Sequence, residues 1–219
     1  MTPDFDKTYA AFLFDLDGTL LTSIISAERC WTRWANLHGL DAEALLRTIH
    51  GKRALDTMRE LALPGLDPDA EAAALTRMEI EDVADIEPIG GAAAFLAAIP
   101  ADRWAVVTSA PRALALARMT AAGLPTPPLL ICAEDVENGK PAPDGFRLGA
   151  RRLGFEAADC LVFEDAPAGI EAGKAAGADV LVITQMHSRA MAEPDAQSIV
   201  NYAGVGVRST TTGIAITLL

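Results

Sequence analysis

Five short apolar bursts punctuate the chain, at residues 9–14, 104–108, 129–132, 160–163 and 180–183. They are continuous rather than alternating, which is the pattern of strands buried on both faces, as in a parallel sheet. Ala-rich stretches of helical periodicity separate the later ones, at 112–122, 143–153 and 168–176. Strand–helix alternation predicts right-handed βαβ units, and hence an α/β core with a doubly wound parallel sheet. Ligands of such sheets sit beyond the carboxyl ends of the strands.

The region after the first burst breaks the alternation. No strand-like run occurs before residue 87, only amphipathic pattern: Ile24, Ala27, Trp31, Trp34 and Ala35 recur at helical spacing among Glu28, Arg29 and Arg33. Further helices are predicted at 41–49, 52–62 and 69–84, with Pro64-Gly65 as a breaker. The expected organisation is therefore a core of residues 1–21 and 87–219 carrying an inserted helical domain of residues 22–86. Both ends of the insertion leave the core near the first strand's end, which is the geometry of a lid. Residues 186–219 carry the weakest pattern.

Charge narrows the function. The 219 residues hold 18 Lys and Arg against 30 Asp and Glu, a net charge of −12. Nonspecific binding to nucleic acid or anionic membrane depends on Lys and Arg, so neither partner is expected. No run approaches the ~20 apolar residues of a membrane span. Cys30, Cys132 and Cys160 form no CxxC-type pair and read as reduced thiols in a cytoplasmic protein. A monomer is expected, with a homodimer as the alternative.

The predicted strand ends carry the chemistry. Asp15 and Asp17 close the first burst, and residues i and i+2 of an extended chain project to the same side. Thr108-Ser109 closes the second, and Glu164-Asp165 follows Leu161-Val162-Phe163. Lys140 lies in the turn Asn138-Gly139-Lys140-Pro141-Ala142-Pro143-Asp144. A parallel sheet brings all of these to one edge. Four carboxylates there need a cation or large pKa shifts. An oxygen-only ligand set with one or two carboxylates and substrate phosphate suits Mg²⁺. Lys140 and the Thr108 hydroxyl are suitable donors to phosphate oxygens.

Four ordered segments, Asp-Leu-Asp-Gly-Thr-Leu, Val-Val-Thr-Ser, Gly-Lys-Pro-Ala-Pro-Asp and Phe-Glu-Asp-Ala-Pro-Ala-Gly, resemble the motifs of the haloacid dehalogenase superfamily. The insertion resembles its type-1 cap. The match spans residues 11–184 and is nearest the branch of sugar and hexitol phosphatases and β-phosphoglucomutase. Residues 28–35, Ile49-His50-Gly51-Lys52 and Glu164-Asp165-Ala166-Pro167-Ala168-Gly169 look most like the phosphatases. The resemblance implies a Rossmann-like core and a Mg²⁺-dependent phosphatase of small sugar or sugar-alcohol phosphates. It implies Asp15 as nucleophile, forming an aspartyl-phosphate, and Asp17 as general acid and base. It implies a metal held by Asp15, the Asp17 backbone carbonyl and Asp165, with Glu164 as a ligand or just behind. Thr108, the Ser109 N–H and Lys140 would hold the phosphoryl group, Gly18 would allow a tight turn, and Thr19 would brace it.

The rival readings are a phosphosugar mutase and a non-catalytic phosphometabolite-binding module. In register, the mutases' cap histidine falls at Ala27 and their phosphate-holding arginine at Ala54, with Arg53 one position away. The loss of both favours hydrolysis. Thr22 stands where relatives carry Asp, at the cap hinge. His50 and Lys52 are candidate substrate contacts, or else a surface loop and a solvated helix start. Trp31 belongs to the cap core or walls the pocket, and Trp34 and Trp104 read as packing. His38 and His187 show no partner in sequence. Gly173 and Gly177 read as helix–sheet contact and helix end.

Overall fold

The computed structural model describes residues 7–186 and 197–219; His187 falls outside them. Six parallel strands, β1 (Ala11–Phe14), β2 (Trp104–Val107), β3 (Leu130–Ile131), β4 (Cys160–Glu164), β5 (Asp179–Ile183) and β6 (Gln197–Ile199), form one sheet in the order β3-β2-β1-β4-β5-β6. β1 lies centrally, pairing with β2 on one side and β4 on the other. Order reverses there, and the switch point of a doubly wound sheet is where a ligand crevice opens.

Between β1 and β2 run α1 (Ile24–Leu37), α2 (Ala42–Ile49), α3 (Ala54–Leu61), α4 (Pro68–Glu81) and α5 (Ala92–Ala97). The first four bury their own apolar cluster, centred on Trp31, Trp34, Leu45, Ile49, Met58 and Leu75. Trp34 donates Nε1–H to Glu71 at 2.8 Å, and His38 pairs with the same carboxylate at 3.2 Å. Sequence pattern runs the third and fourth insertion helices longer than the structure does. α4 is set by a local cap: the Asp67 side chain accepts from the Asp69 N–H, with Pro68 at the first helical turn.

After β2 come α6 (Arg112–Ala121), α7 (Asp144–Leu153) and α8 (Pro167–Ala176). Strand alternation sorts the two sheet faces. Phe12, Phe14, Trp104, Val106, Leu161 and Phe163 pack toward α5 and α6. Leu13, Ala105, Val107 and Val162 pack toward α7 and α8. Gly173 lets α8 approach closely, since a Cβ there would meet Val180 at 2.9 Å and Val162 at 3.2 Å. Gly177 ends that helix in left-handed conformation. Trp104 is core, and all three cysteines are buried and unpaired.

Within the weakly patterned C-terminal region, residues 197–219 are structured. Beyond β6, β7 (Val205–Ser209) and β8 (Ile214–Leu218) form an antiparallel hairpin. Ile214 exchanges backbone hydrogen bonds with Tyr9, each at 2.8 Å. Tyr202 packs on Phe95 and donates its hydroxyl to the Thr19 carbonyl at 3.2 Å. These pairings depend on contacts far away in the chain, which a local pattern does not carry. None of the helices in the described residues is long and apolar enough to cross a membrane.

Candidate active site

β1 runs into Asp15, whose N–H continues the ladder to the Phe163 carbonyl at 2.9 Å. The chain then reverses over Gly18, at φ +85°, with Gly18 N–H bonded to the Leu21 carbonyl at 2.8 Å. A side chain at Gly18 would also collide with the Asp165 carboxylate, 2.1 Å from an ideal Cβ. Glycine is thus required there twice over. Leu21 bridges to Pro88, and Thr22 bonds Glu87 in both directions, through its N–H to the carbonyl and its hydroxyl from the N–H, each at 2.9 Å. Thr22 therefore ties together the two chain segments that enter and leave the insertion.

The strand ends converge as their parallel order requires. Lys140 Nζ bonds Asp15 directly and Glu164 Oε1 at 2.7 Å, over the ring of Phe146 at 5.0 Å. Glu164 Oε2 accepts the N–H groups of Asp165 at 2.8 Å and Ala166 at 3.0 Å. Thr19, expected as a brace of its own turn, instead donates to Asp165 Oδ1 at 3.0 Å and orients that carboxylate. Carboxylate oxygens of Asp15, Glu164 and Asp165 lie within 4.8 Å of one another, and all three residues are buried.

One lysine against three buried acids leaves the cluster short of positive charge. Burial raises Asp15 well above the usual carboxylate range; Lys140 opposes this, while Glu164, Asp165 and Asp17 add to it. Burial works against the Lys140 charge, but Asp15 and Glu164 outweigh it and raise the lysine's affinity for its proton. A hard divalent cation fits this donor set: oxygen only, preorganised, with an unmet demand for positive charge.

Asp17 is held differently. Its Oδ1 accepts from Ser23 Oγ at 2.5 Å and from Arg118 at 2.8 Å. The other arm of Arg118 pairs with Glu79 of α4 at 3.1 Å. Burial pushes Glu79 up to about 7 despite that guanidinium. The pattern could have flagged both residues, because each is a charge on a buried helical stripe: Arg118 follows Leu114 and Ala115, and Glu79 follows Leu75.

The insertion roofs the site. Asp15, Asp17 and Asp165 share one cavity with Ser109 and Arg118 from the core and with Ala27, Trp31, His50, Lys52, Ala54 and Glu79 from above. Ser109 Oγ donates to the Gly51 carbonyl at 2.8 Å, so it also touches the insertion. Thr108 lies outside this cavity lining, against the neighbouring hollow beside Lys140; its hydroxyl oxygen accepts from the Ala110 N–H at 3.0 Å. His50 is turned by Glu28 at 3.2 Å, and Lys52 pairs with Glu60 at 3.0 Å. Trp31 is both buried in the insertion's cluster and part of the cavity wall. Arg53 points elsewhere, pairing with Asp56 and donating to the Val136 and Glu137 carbonyls at 3.2 and 3.0 Å.

Gly169, in the first turns of α8, makes room for the buried acid. An ideal Cβ there would lie 1.6 Å from Glu164 Oε1. Gly169→Ala is expected to cost about 1–3 kcal/mol, since an overpacked rigid site must shift backbone or carboxylate. Urea denaturation measures it, and an unchanged midpoint would show that α8 yields freely.

The fold and site together define an α/β protein with a carboxylate-centred cavity at one sheet edge, a buried lysine beside it and inserted helices over it. The haloacid dehalogenase-like hydrolase family model matches residues 9–177, and the chain belongs to that family. It is 44% identical over 179 residues to hexitol phosphatase A of Escherichia coli, covering 78% of this chain and 82% of that protein. It is 32% identical to 2-deoxyglucose-6-phosphate phosphatase 1 of Saccharomyces cerevisiae, over 82% and 81% of the two chains. Among solved structures, β-phosphoglucomutase of Clostridium difficile superposes with TM-score 0.76 at 18% identity, over 89% and 92% of the chains, a likeness of fold.

Proposed function

We propose that the protein is a Mg²⁺-dependent phosphatase that hydrolyses small sugar phosphates or sugar-alcohol phosphates through an aspartyl-phosphate on Asp15. The observation that carries the reading is the buried Asp15–Lys140–Glu164 cluster, whose Asp15 lines a cavity that also holds Asp17 and Asp165. Hexitol phosphatase A and 2-deoxyglucose-6-phosphate phosphatase 1, by their names, act on substrates of this class.

Asp15 supplies the attacking oxygen, and Lys140 beside it draws in the phosphoryl group and neutralises its developing charge. The Ser109 N–H and the Thr108 hydroxyl proton add donors. Asp17 gives a proton to the departing alkoxide, then takes one from the water that attacks the aspartyl-phosphate. Asp15, the Asp17 carbonyl and Asp165 would hold Mg²⁺, with Glu164 supporting them through Lys140 and the Asp165 N–H; bound there, the ion offsets the acids against an anionic substrate. The inserted helices act as a cap that shields these steps from bulk water. His50 and Lys52 meet the sugar hydroxyls, with Trp31 as a wall. The three unpaired thiols support a cytoplasmic setting.

Ala27 and Ala54 line the cavity at the positions of the mutases' cap histidine and phosphate-holding arginine, and Arg53 turns away to the Val136 and Glu137 carbonyls. Alanine at both positions favours hydrolysis over mutase chemistry. A panel of hexose, hexitol and polyol phosphates is expected to yield Mg²⁺-dependent phosphate release that EDTA abolishes. Isomer formation dependent on a bisphosphate activator, without release, would identify a mutase. Binding without turnover on every substrate would identify a sensing module.

A further inference from the structure

Arg118 and Glu79 form a buried ion pair across the boundary between core and insertion, and the reaction described above uses neither. Their side chains are 5% and 7% exposed, and Arg118 Nε has no hydrogen-bond partner among the described residues. Burying two charges is costly, and an apolar pair of similar volume would serve packing as well or better. The geometry gives the pair another use. Arg118 spans from Glu79 on α4 to Asp17 Oδ1, where Ser23 Oγ also donates. Two donors on Oδ1 fix it as an acceptor. Any proton that Asp17 carries or takes up is thereby placed on Oδ2.

We propose that Arg118 is a positioning residue for Asp17 and that Glu79 sets Arg118, so that seating the inserted helices and aiming the acid–base carboxylate are one event. With α4 seated, Glu79 holds one arm of the guanidinium and the other arm locks the Asp17 carboxylate toward the leaving oxygen. With α4 displaced, the guanidinium loses that hold and Asp17 is no longer aimed. Proton transfer is thus confined to the covered site. This proposal rests on the phosphatase reading and on Asp17 as its acid–base group.

The test uses leaving groups that differ in their need for a proton. A hexitol phosphate releases an alkoxide, which requires the acid. p-Nitrophenyl phosphate releases a stabilised phenolate, which does not. Single-turnover formation of the phosphoenzyme is measured on both with Mg²⁺, for wild type, Arg118→Met, Arg118→Lys and Glu79→Gln. Arg118→Met is expected to slow the hexitol reaction about 100-fold, the usual scale of a misplaced general acid. KM should change less than threefold, and the nitrophenolate burst likewise. Arg118→Lys should recover part of the loss, and Glu79→Gln should show the same selectivity at smaller size.

Equal loss on both substrates would assign the pair a merely structural role and overturn the proposal, as would undiminished hexitol turnover. Should Arg118→Met fail to fold, Glu79→Gln, which keeps shape and a hydrogen-bond acceptor, carries the same comparison. A wild type that forms no phosphoenzyme from either substrate, or forms it as well with Asp15→Asn, would overturn the phosphatase reading itself. That control is read first, so the two failures are distinct.

Discussion

Asp15→Asn is expected to reduce phosphate release by about 10⁴-fold or more, because an amide cannot form the acyl-phosphate that splits the reaction into two steps. The same substitution is expected to stabilise the metal-free protein at neutral pH. Burial lifts the Asp15 carboxyl well above its ordinary range, Lys140 notwithstanding, and the neighbouring acids lift it further. The folded state therefore keeps a proton that the unfolded chain gives up near pH 4. Between that point and the raised folded value, stability falls as pH rises. Asn has no charge to bury, so this loss disappears. Thermal melts in EDTA from pH 4 to 8 should show the variant gaining on wild type as pH increases, and Mg²⁺ should narrow the gap by stabilising wild type more. A variant that melts below wild type at pH 8 in EDTA, or retains more than about 1% of turnover, would contradict the assignment.

Lys140→Met is the second large effect, with stability and activity falling together. Among the described residues, Lys140 is the one side-chain cation in contact with Asp15 and Glu164, and it is itself buried. Removing the cation leaves the buried acids without compensation, at a cost of about 3–5 kcal/mol. For a chain of this length each kcal/mol shifts the melting temperature by about 2–4 °C, so a drop on the order of 10 °C is expected. Turnover should fall by about 10²–10³, the scale of losing one donor to developing transition-state charge. Saturating Mg²⁺ should restore part of the melting temperature, because it supplies positive charge to the acids. It should not restore turnover, because no donor then faces the phosphoryl oxygens on that side. Calorimetry and phosphate release on one preparation separate the two effects.

Legibility in the sequence followed interaction range. β1, β2, β4 and β5 are doubly buried strands, so their apolar runs stand out without reference to partners. α6, α7 and α8 were readable because each packs one stripe on the sheet. β6 and β7 are partly polar or exposed, and β8 is apolar and largely buried; all three draw their order from pairing with β5, Tyr9 and one another. Thr19 shows the same limit on a smaller scale. Sequence places it in a turn, but its hydroxyl partner lies 146 residues away, on Asp165.

The sequence by itself determined which chemistry is available. Asp15, Asp17, Lys140, Glu164 and Asp165 each sit at the end of a strand, just after one or in a βα connection, and parallel topology then carries them to one sheet edge. Tertiary structure decided how that chemistry is held. Only three-dimensional packing puts Arg118 between Asp17 and Glu79, commits Glu164 to Lys140 and two backbone N–H groups, and lays His50, Lys52 and Trp31 over the site. The physical reason is the range of the forces involved. Strand burial and helix periodicity are written in neighbouring residues, whereas a buried charge is satisfied by whatever partner the completed fold brings within hydrogen-bonding distance.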